Sequence, residues 1–132
     1  MISHVFVGVT DFDRAFKFYL AVMEEFGLTL KFCERDTAMA GWMAADAPRP
    51  LFLIGTPYDG NPARCGNGQM VALLAPDRRT VDNVHASALA NGGSCEGAPG
   101  PRPQYHAHYY GAYFRDPDGN KICVCCHTPA AD

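Results

Sequence analysis

A single histidine interrupts the apolar run "ISHVFVGVTD" at the start of the chain. An imidazole titrates near neutral pH, so His4 has the chemistry to hold a metal, move a proton or contact a ligand. The competing reading is a histidine that only satisfies a neighbouring polar group. A second concentration lies in "PQYHAHYYGAYF", where Tyr105, His106, His108, Tyr109 and Tyr110 follow a proline-rich stretch. Aromatic rings with polar tips suit a small-molecule pocket, because they pair flat apolar contact with one hydrogen bond. His106 and Tyr110 are the favoured contacts, and His106 and His108 share a face if the segment is extended. Tyr113 and Phe114 are explained at least as well by packing across a sheet. Six cysteines complete the set: Cys33, Cys65, Cys95, Cys123, Cys125 and Cys126. Structural zinc sites usually pair cysteines across a C-x-x-C turn, which "CVCC" lacks. Inert thiols therefore rank first, a metal site second and a redox pair third. Cys123 and Cys125 would be nucleophiles only if their pKa fell, and Lys121 is the one nearby cation in the stretch. "CGNGQ" lacks the lysine and the strand–loop–helix setting of a phosphate loop.

These residues need a scaffold, and 132 residues is the length of one domain with its own core. The net charge of −3 and the lack of a basic run argue against nucleic acid or an anionic membrane surface as partner. No apolar stretch approaches the ~20 residues that span a bilayer. The chain shows no signal-peptide pattern, so reduced thiols in the cytoplasm are expected.

In "SHVFVGV", Val5, Val7 and Val9 alternate with His4, Phe6 and Gly8, which predicts a strand with a valine core face. Phe12, Ala15, Phe16, Tyr19, Val22, Met23 and Phe26 recur at helical spacing, with Asp11 as N-cap and Gly27 as C-cap. Three apolar runs follow, at 28–34, 37–45 and 50–56. Trp42, the only tryptophan, sits in the second of these, as cavity wall or as core. The glycine- and asparagine-rich stretch 56–69 reads as an exposed connection. The pattern then restarts: strand "QMVALLA", and a helix capped by Asp77 whose stripe is Val81, Val84, His85, Ala88 and Leu89. The loop "EGAPGPRPQY" follows, and strands "HYYGAYFR" and "NKICVCCH" join through the turn "DPDG". In the last strand Lys121, Cys123, Cys125 and His127 share one face and Ile122 and Val124 the other. Strand–helix–strand–strand–strand thus recurs as an internal repeat, and pairing the two halves would curve the strands round a cavity.

With "HVFVGVTDFDRAFKFY", "VALLAPDRRTVDNVHASALANGG" and "YYGAYFRDPDGNKICVCCH" in place, the chain resembles the vicinal oxygen chelate superfamily. That is the glyoxalase, bleomycin-resistance and ring-cleaving dioxygenase fold, and the "RDPDGN" turn is the most specific element of the likeness. The resemblance implies an α+β domain over 1–132. Two βαβββ modules (about 1–57 and 68–128) would form a curved mixed sheet round a cavity, helices outside. It implies a homodimer and one divalent metal held by side chains from the first and fourth strands of each half. Those positions match His4, Met70 and Cys123, with only Leu51, Phe52, Leu53 and Ile54 on offer in the fourth strand. A one-residue shift would present Gln69 instead of Met70, pairing it with His4 as metal ligands. The expected substrate contacts are His4, Phe6, Trp42, Met70, Tyr105, His106, Tyr109, Tyr110 and Cys123. Two functions stay open. One is a glyoxalase-like or dioxygenase-like enzyme, such as a lyase or isomerase of the lactoylglutathione lyase type, with a metal as Lewis acid. The other is a metal-free module binding a small molecule or drug.

Overall fold

The structure is a computed structural model that describes residues 1–130. It contains two four-stranded mixed sheets, each carrying one helix. The first module runs β1 (His4–Gly8), α1 (Phe12–Phe26), β2 (Thr29–Glu34), β3 (Met39–Ala44) and β4 (Ala47–Gly55). The second runs β5 (Val71–Leu74), α2 (Arg78–Ala90), β6 (Ser94–Pro101), β7 (Tyr110–Arg115) and β8 (Lys121–Cys126). Strand order is β1-β4-β3-β2 in one sheet and β5-β8-β7-β6 in the other. The repeat expected from the residue pattern is therefore present.

Local chemistry explains the helix ends. Asp11 accepts from the Arg14 N–H at 3.1 Å, and Asp77 accepts from the Thr80 N–H at 2.7 Å, satisfying first-turn donors. Gly27 closes α1 in the left-handed region (φ 84°), where a side chain would be strained. The buried face of α1 is wider than one helical stripe. Tyr19 meets Trp42 and Phe52 of the first sheet, while Phe18 turns to Phe114 of the second module. A helix wedged between two partners buries two arcs, which is why Phe18 is buried although the single-stripe pattern omits it.

Two boundaries differ from the sequence reading. The stretch 94–101, read as loop, is strand β6. It is an edge strand, where prolines are tolerated because one side needs no ladder hydrogen bonds, and its pairing to β7 is bulged. β4 begins at Ala47, inside the expected turn. Pairing jumps from Ala44↔Ala47 to Trp42↔Phe52, so the proline-bearing segment bulges out of the ladder.

His85 is buried on α2, and its Nε2 has no hydrogen-bond partner. Burial lowers its pKa, with Asp82 pulling the other way. The folded state thus favours the neutral ring. The stability this contributes is complete above the ordinary histidine value near 6.5 and is lost as pH falls through the lowered folded value. Urea midpoints should fall more steeply between neutral and mildly acidic pH in the wild type than in His85→Leu. Parallel slopes would remove His85 as the cause.

Candidate functional site

The antiparallel register of β7 and β8 sorts their side chains. Tyr113 faces Cys123, Gly111 faces Cys125 and Arg115 faces Lys121, all on the side away from the helices. Tyr110, Ala112 and Phe114 pair with Cys126, Val124 and Ile122 on the helix-packed side. On the first sheet, His4 and Phe6 pair with Leu51 and Leu53, again away from the valine core face.

The segment between β6 and β7 folds back rather than running extended. The Tyr105 N–H donates to the Arg102 carbonyl (3.0 Å), the Tyr109 N–H to the His106 carbonyl (3.3 Å), and the Arg102 N–H to the Tyr109 carbonyl (3.0 Å). Arg102 braces the fold by donating to the carbonyls of Ala98 and Gly100 at 2.8 and 3.0 Å. The bend carries the Tyr109 ring against β7, where a Cβ on Gly111 would stand 2.8 Å from it. His106 and His108 therefore do not share a strand face. Instead the His108 N–H donates to His106 Nδ1 at 3.1 Å.

That bond has consequences. With Nδ1 accepting, His106 carries its proton on Nε2 and donates it to His127 Nδ1, 2.8 Å away. His127 is then protonated on Nε2, which points toward Cys125 Sγ at 3.9 Å. The tautomers are inferred from this donor order, which holds with both rings neutral. Beside them the Tyr109 hydroxyl lies 2.9 Å from that of Tyr113 and 3.5 Å from Cys123 Sγ. Burial raises the pKa of Tyr109 well above the phenol range and also raises Tyr113. Burial likewise pushes the Cys123 thiol up to about 11, against the opposing pull of Tyr109 and with the Cys125 thiol adding to the rise. Near neutral pH the two phenols and the Cys123 thiol keep their protons. Tyr105 and Tyr109 meet edge to face at 4.9 Å, and Tyr109 lies 5.4 Å from the His127 ring. The site is a polar-tipped aromatic surface of hydrogen-bonded groups.

This has a direct chemical test. Cys65 and Cys95 are exposed, whereas Cys123, Cys125 and Cys126 are buried. A thiol-specific reagent should modify Cys65 and Cys95 in the native protein, and the β8 thiols only after unfolding. Rapid native labelling of Cys123 would contradict the assignment of a protonated, shielded thiol.

The remaining predicted residues are distributed as follows. Tyr105, His106, Tyr109 and Cys123 come together in the cluster. Phe6, Gln69 and Met70 line a separate pocket of about 140 Å³ where β1 approaches the start of β8. β5 pairs Ala72 with Cys123 and Leu74 with Cys125, so the alternation places Met70 on their side and Gln69 on the opposite one. The Gln69 side chain folds back beside Gly66. His4 is exposed, with Nδ1 3.0 Å from Ser3 Oγ. Tyr110 lies on the helix side: its hydroxyl donates to Asp82 at 2.7 Å, that bond chiefly pushes its pKa up to about 12, and the Arg78 guanidinium sits over its ring. Trp42 is 1% exposed beneath α1. It also borders an apolar groove of about 430 Å³ between the first sheet and β5, on that same side. Both differ from the expected placement for one reason: strand alternation turns them to the helices. His127, Tyr113 and Cys125 belong to the cluster although they are not among the expected substrate contacts. The parity of the last strand already grouped His127 and Cys125 with Cys123, but the folded-back loop that joins them left no periodic signal.

Paired βαβββ modules, each a four-stranded mixed sheet carrying one helix, define a class of scaffold, and known proteins share it. The family model for the glyoxalase/bleomycin resistance protein/dioxygenase superfamily matches residues 1–124, and the chain belongs to that family. It is similar to the crystal structure of a glyoxalase/bleomycin resistance protein from Albidiferax ferrireducens T118: 38% identity, TM-score 0.85, covering 96% of this chain and 98% of that one. A glyoxalase-related enzyme from Fulvimarina pelagi shares the fold at 16% identity and TM-score 0.69, covering 96% and 87%. A lactoylglutathione lyase from Agrobacterium tumefaciens does so at 21% identity and TM-score 0.65, covering 96% and 92%. No curated protein matches the sequence.

Members of this superfamily often hold a divalent metal. The corresponding positions carry His4, Met70 and Cys123, with Leu51 and Leu53 beside His4 and Phe6. A hard divalent ion wants oxygen or imidazole donors. Leucine offers none, methionine is soft, and Cys123 is a protonated thiol engaged by Tyr109. Among the described residues no group of three or more His, Cys, Asp or Glu is disposed to hold a metal ion. These residues do not fit the group.

Proposed function

We propose that the protein binds a small, partly aromatic organic molecule on the helix-free face of its sheets, without the superfamily's divalent metal. The observation that carries this reading is the hydrogen-bonded cluster of His106, His127, Tyr109, Tyr113 and Cys123. Its Cys123 stands at the metal-ligand position on β8, and the cluster supplies stacking surface with hydrogen-bonding tips. A lyase or isomerase of the lactoylglutathione lyase type is the second reading, favoured by the fold it shares with the Agrobacterium protein.

Titration with benzamide, a neutral aromatic probe, followed by amide chemical shifts, tests the first reading. Shifts are expected at Tyr109, Tyr113, Cys123 and His127, with Tyr110 unmoved. Shifts confined to the helix-side groove, or none, would count against it. In parallel, manganese, zinc and nickel titrations are expected to give no stoichiometric tight uptake. Uptake that disappears in His4→Ala would restore the metal-dependent reading.

The same reading includes a cytoplasmic homodimer. The six cysteines are free, as expected of a reducing compartment, and among the described residues no helix is long and apolar enough to cross a membrane. Leu74 of edge strand β5 is 68% exposed and borders the apolar groove, giving a second copy an apolar edge to cover. A sedimentation mass of one chain at micromolar concentration would exclude the dimer. No nucleic acid or membrane partner belongs to this reading.

A further inference from the structure

We infer that the pocket of about 140 Å³ beside the start of β8 receives the carboxylate of an aromatic carboxylic acid, whose ring lies along Tyr113 toward the His106–His127 pair. This rests on the binding role proposed above and names the substrate class for it.

The pocket lies between Phe6 and Gly8 of β1, the 56–70 connection and Lys121 of β8. Its charged lining residues are Arg64 and Lys121, and Gln69 lines it too. Among the described residues the three ion pairs are Arg14–Asp118, Arg35–Asp13 and Arg115–Glu96. Neither Arg64 nor Lys121 is in them. Glu96 also feels Lys121, but it is bonded to Arg115. Two cationic residues that are in none of these ion pairs thus line one concave spot on a chain whose net charge is −3. A guanidinium and an ammonium are the donors that an oxyanion takes.

The body of the ligand follows from what adjoins the pocket. The Lys121 ammonium lies 5.6 Å from the centre of the Tyr113 ring, and Arg102 lies at the same distance from that ring. The Tyr113 hydroxyl leads to Tyr109, and Tyr109 packs against His127. Cation, aromatic surface and hydrogen-bonding imidazoles therefore lie in sequence along one sheet face. Phe6 and Met70, both 44% exposed, add apolar surface at the cationic end. A free inorganic anion would use the first of these and leave the rest idle. An aromatic carboxylate uses all three.

The test compares benzoate, benzamide and inorganic phosphate at one low ionic strength, read by amide shifts. Benzoate is expected to bind about tenfold more tightly than its neutral isostere, and to move Phe6, Gln69 and Lys121 as well as Tyr113. Arg64→Gln and Lys121→Gln should each weaken benzoate about tenfold and leave benzamide unchanged, and Arg64→Lys should recover part of the loss, since it keeps the charge without the planar fork. Arg64 is exposed in a connection, so its variants decide the matter if Lys121→Gln does not fold. Equal affinity for benzoate and benzamide, with shifts at Cys123 and His127, would overturn this inference and leave the binding role standing. Absence of binding by both aromatic probes would overturn both. Phosphate that binds more tightly than benzoate, without moving Tyr113, would overturn the assignment of an aromatic carboxylate.

Discussion

Replacing Asp116 by alanine is expected to lower unfolding free energy by about 3–4 kcal/mol, measured by urea denaturation. Asp116 is buried at the head of the "DPDG" turn and accepts four hydrogen bonds. The Tyr19 hydroxyl donates at 2.6 Å, and the Asp118 N–H, Asn120 N–H and Asn120 side-chain amide each donate at 2.9 Å. Burial raises its carboxyl above the usual range, while these bonds pull the other way. Truncation strands donors from both modules: the buried Tyr19 hydroxyl of α1 and the Asn120 groups immediately before β8. Asn120 also donates to the Gly8 carbonyl, and Asp118 accepts from the Thr10 N–H, so the turn clamps β1 to β8. Tyr19→Phe removes one neutral donor and should cost about 1–2 kcal/mol. A loss below about 1 kcal/mol for Asp116→Ala would show that the turn does not join the modules. The most specific sequence motif in this chain is thus a structural clamp, with Gly119 (φ 91°) supplying the left-handed residue that closes the turn.

Trp42→Ala should cost a comparable 3–5 kcal/mol, roughly the loss for truncating a buried tryptophan. Its indole is 1% exposed and packs with Phe16 at 6.0 Å and Tyr19 at 6.3 Å between ring centres. The milder Trp42→Phe variant separates core from ligand contact. It should lose stability, by about 1–2 kcal/mol, while benzamide affinity stays unchanged. A Trp42→Phe protein of normal stability that no longer binds benzamide would return Trp42 to the ligand-facing side. The same alternation argument covers Tyr110, which the register pairs with Cys126 on the helix side.

Periodicity made much of this protein legible. Alternating valines in β1, the capped helices and the Ile122/Val124 face of β8 all follow from local geometry that acts over a few residues. For the same reason His4 was correctly set apart from the valine core. Where edge position or pairing mattered, local signals misled. Pro99 and Pro101 suggest a loop, yet they sit in β6 because an edge strand forgives a missing N–H.

The sequence by itself determined the doubled βαβββ unit, its caps and the grouping of Cys123, Cys125 and His127 on one face of the last strand. Only the tertiary structure decided that His106 meets His127, that Tyr110 and Trp42 turn to the helices, and that Arg64 and Lys121 line one pocket. The reason is physical: strand and helix periods are properties of neighbouring residues. A hydrogen bond between residues 106 and 127, or a pocket between residues 64 and 121, depends instead on how an irregular segment folds back. No repeating pattern encodes that path.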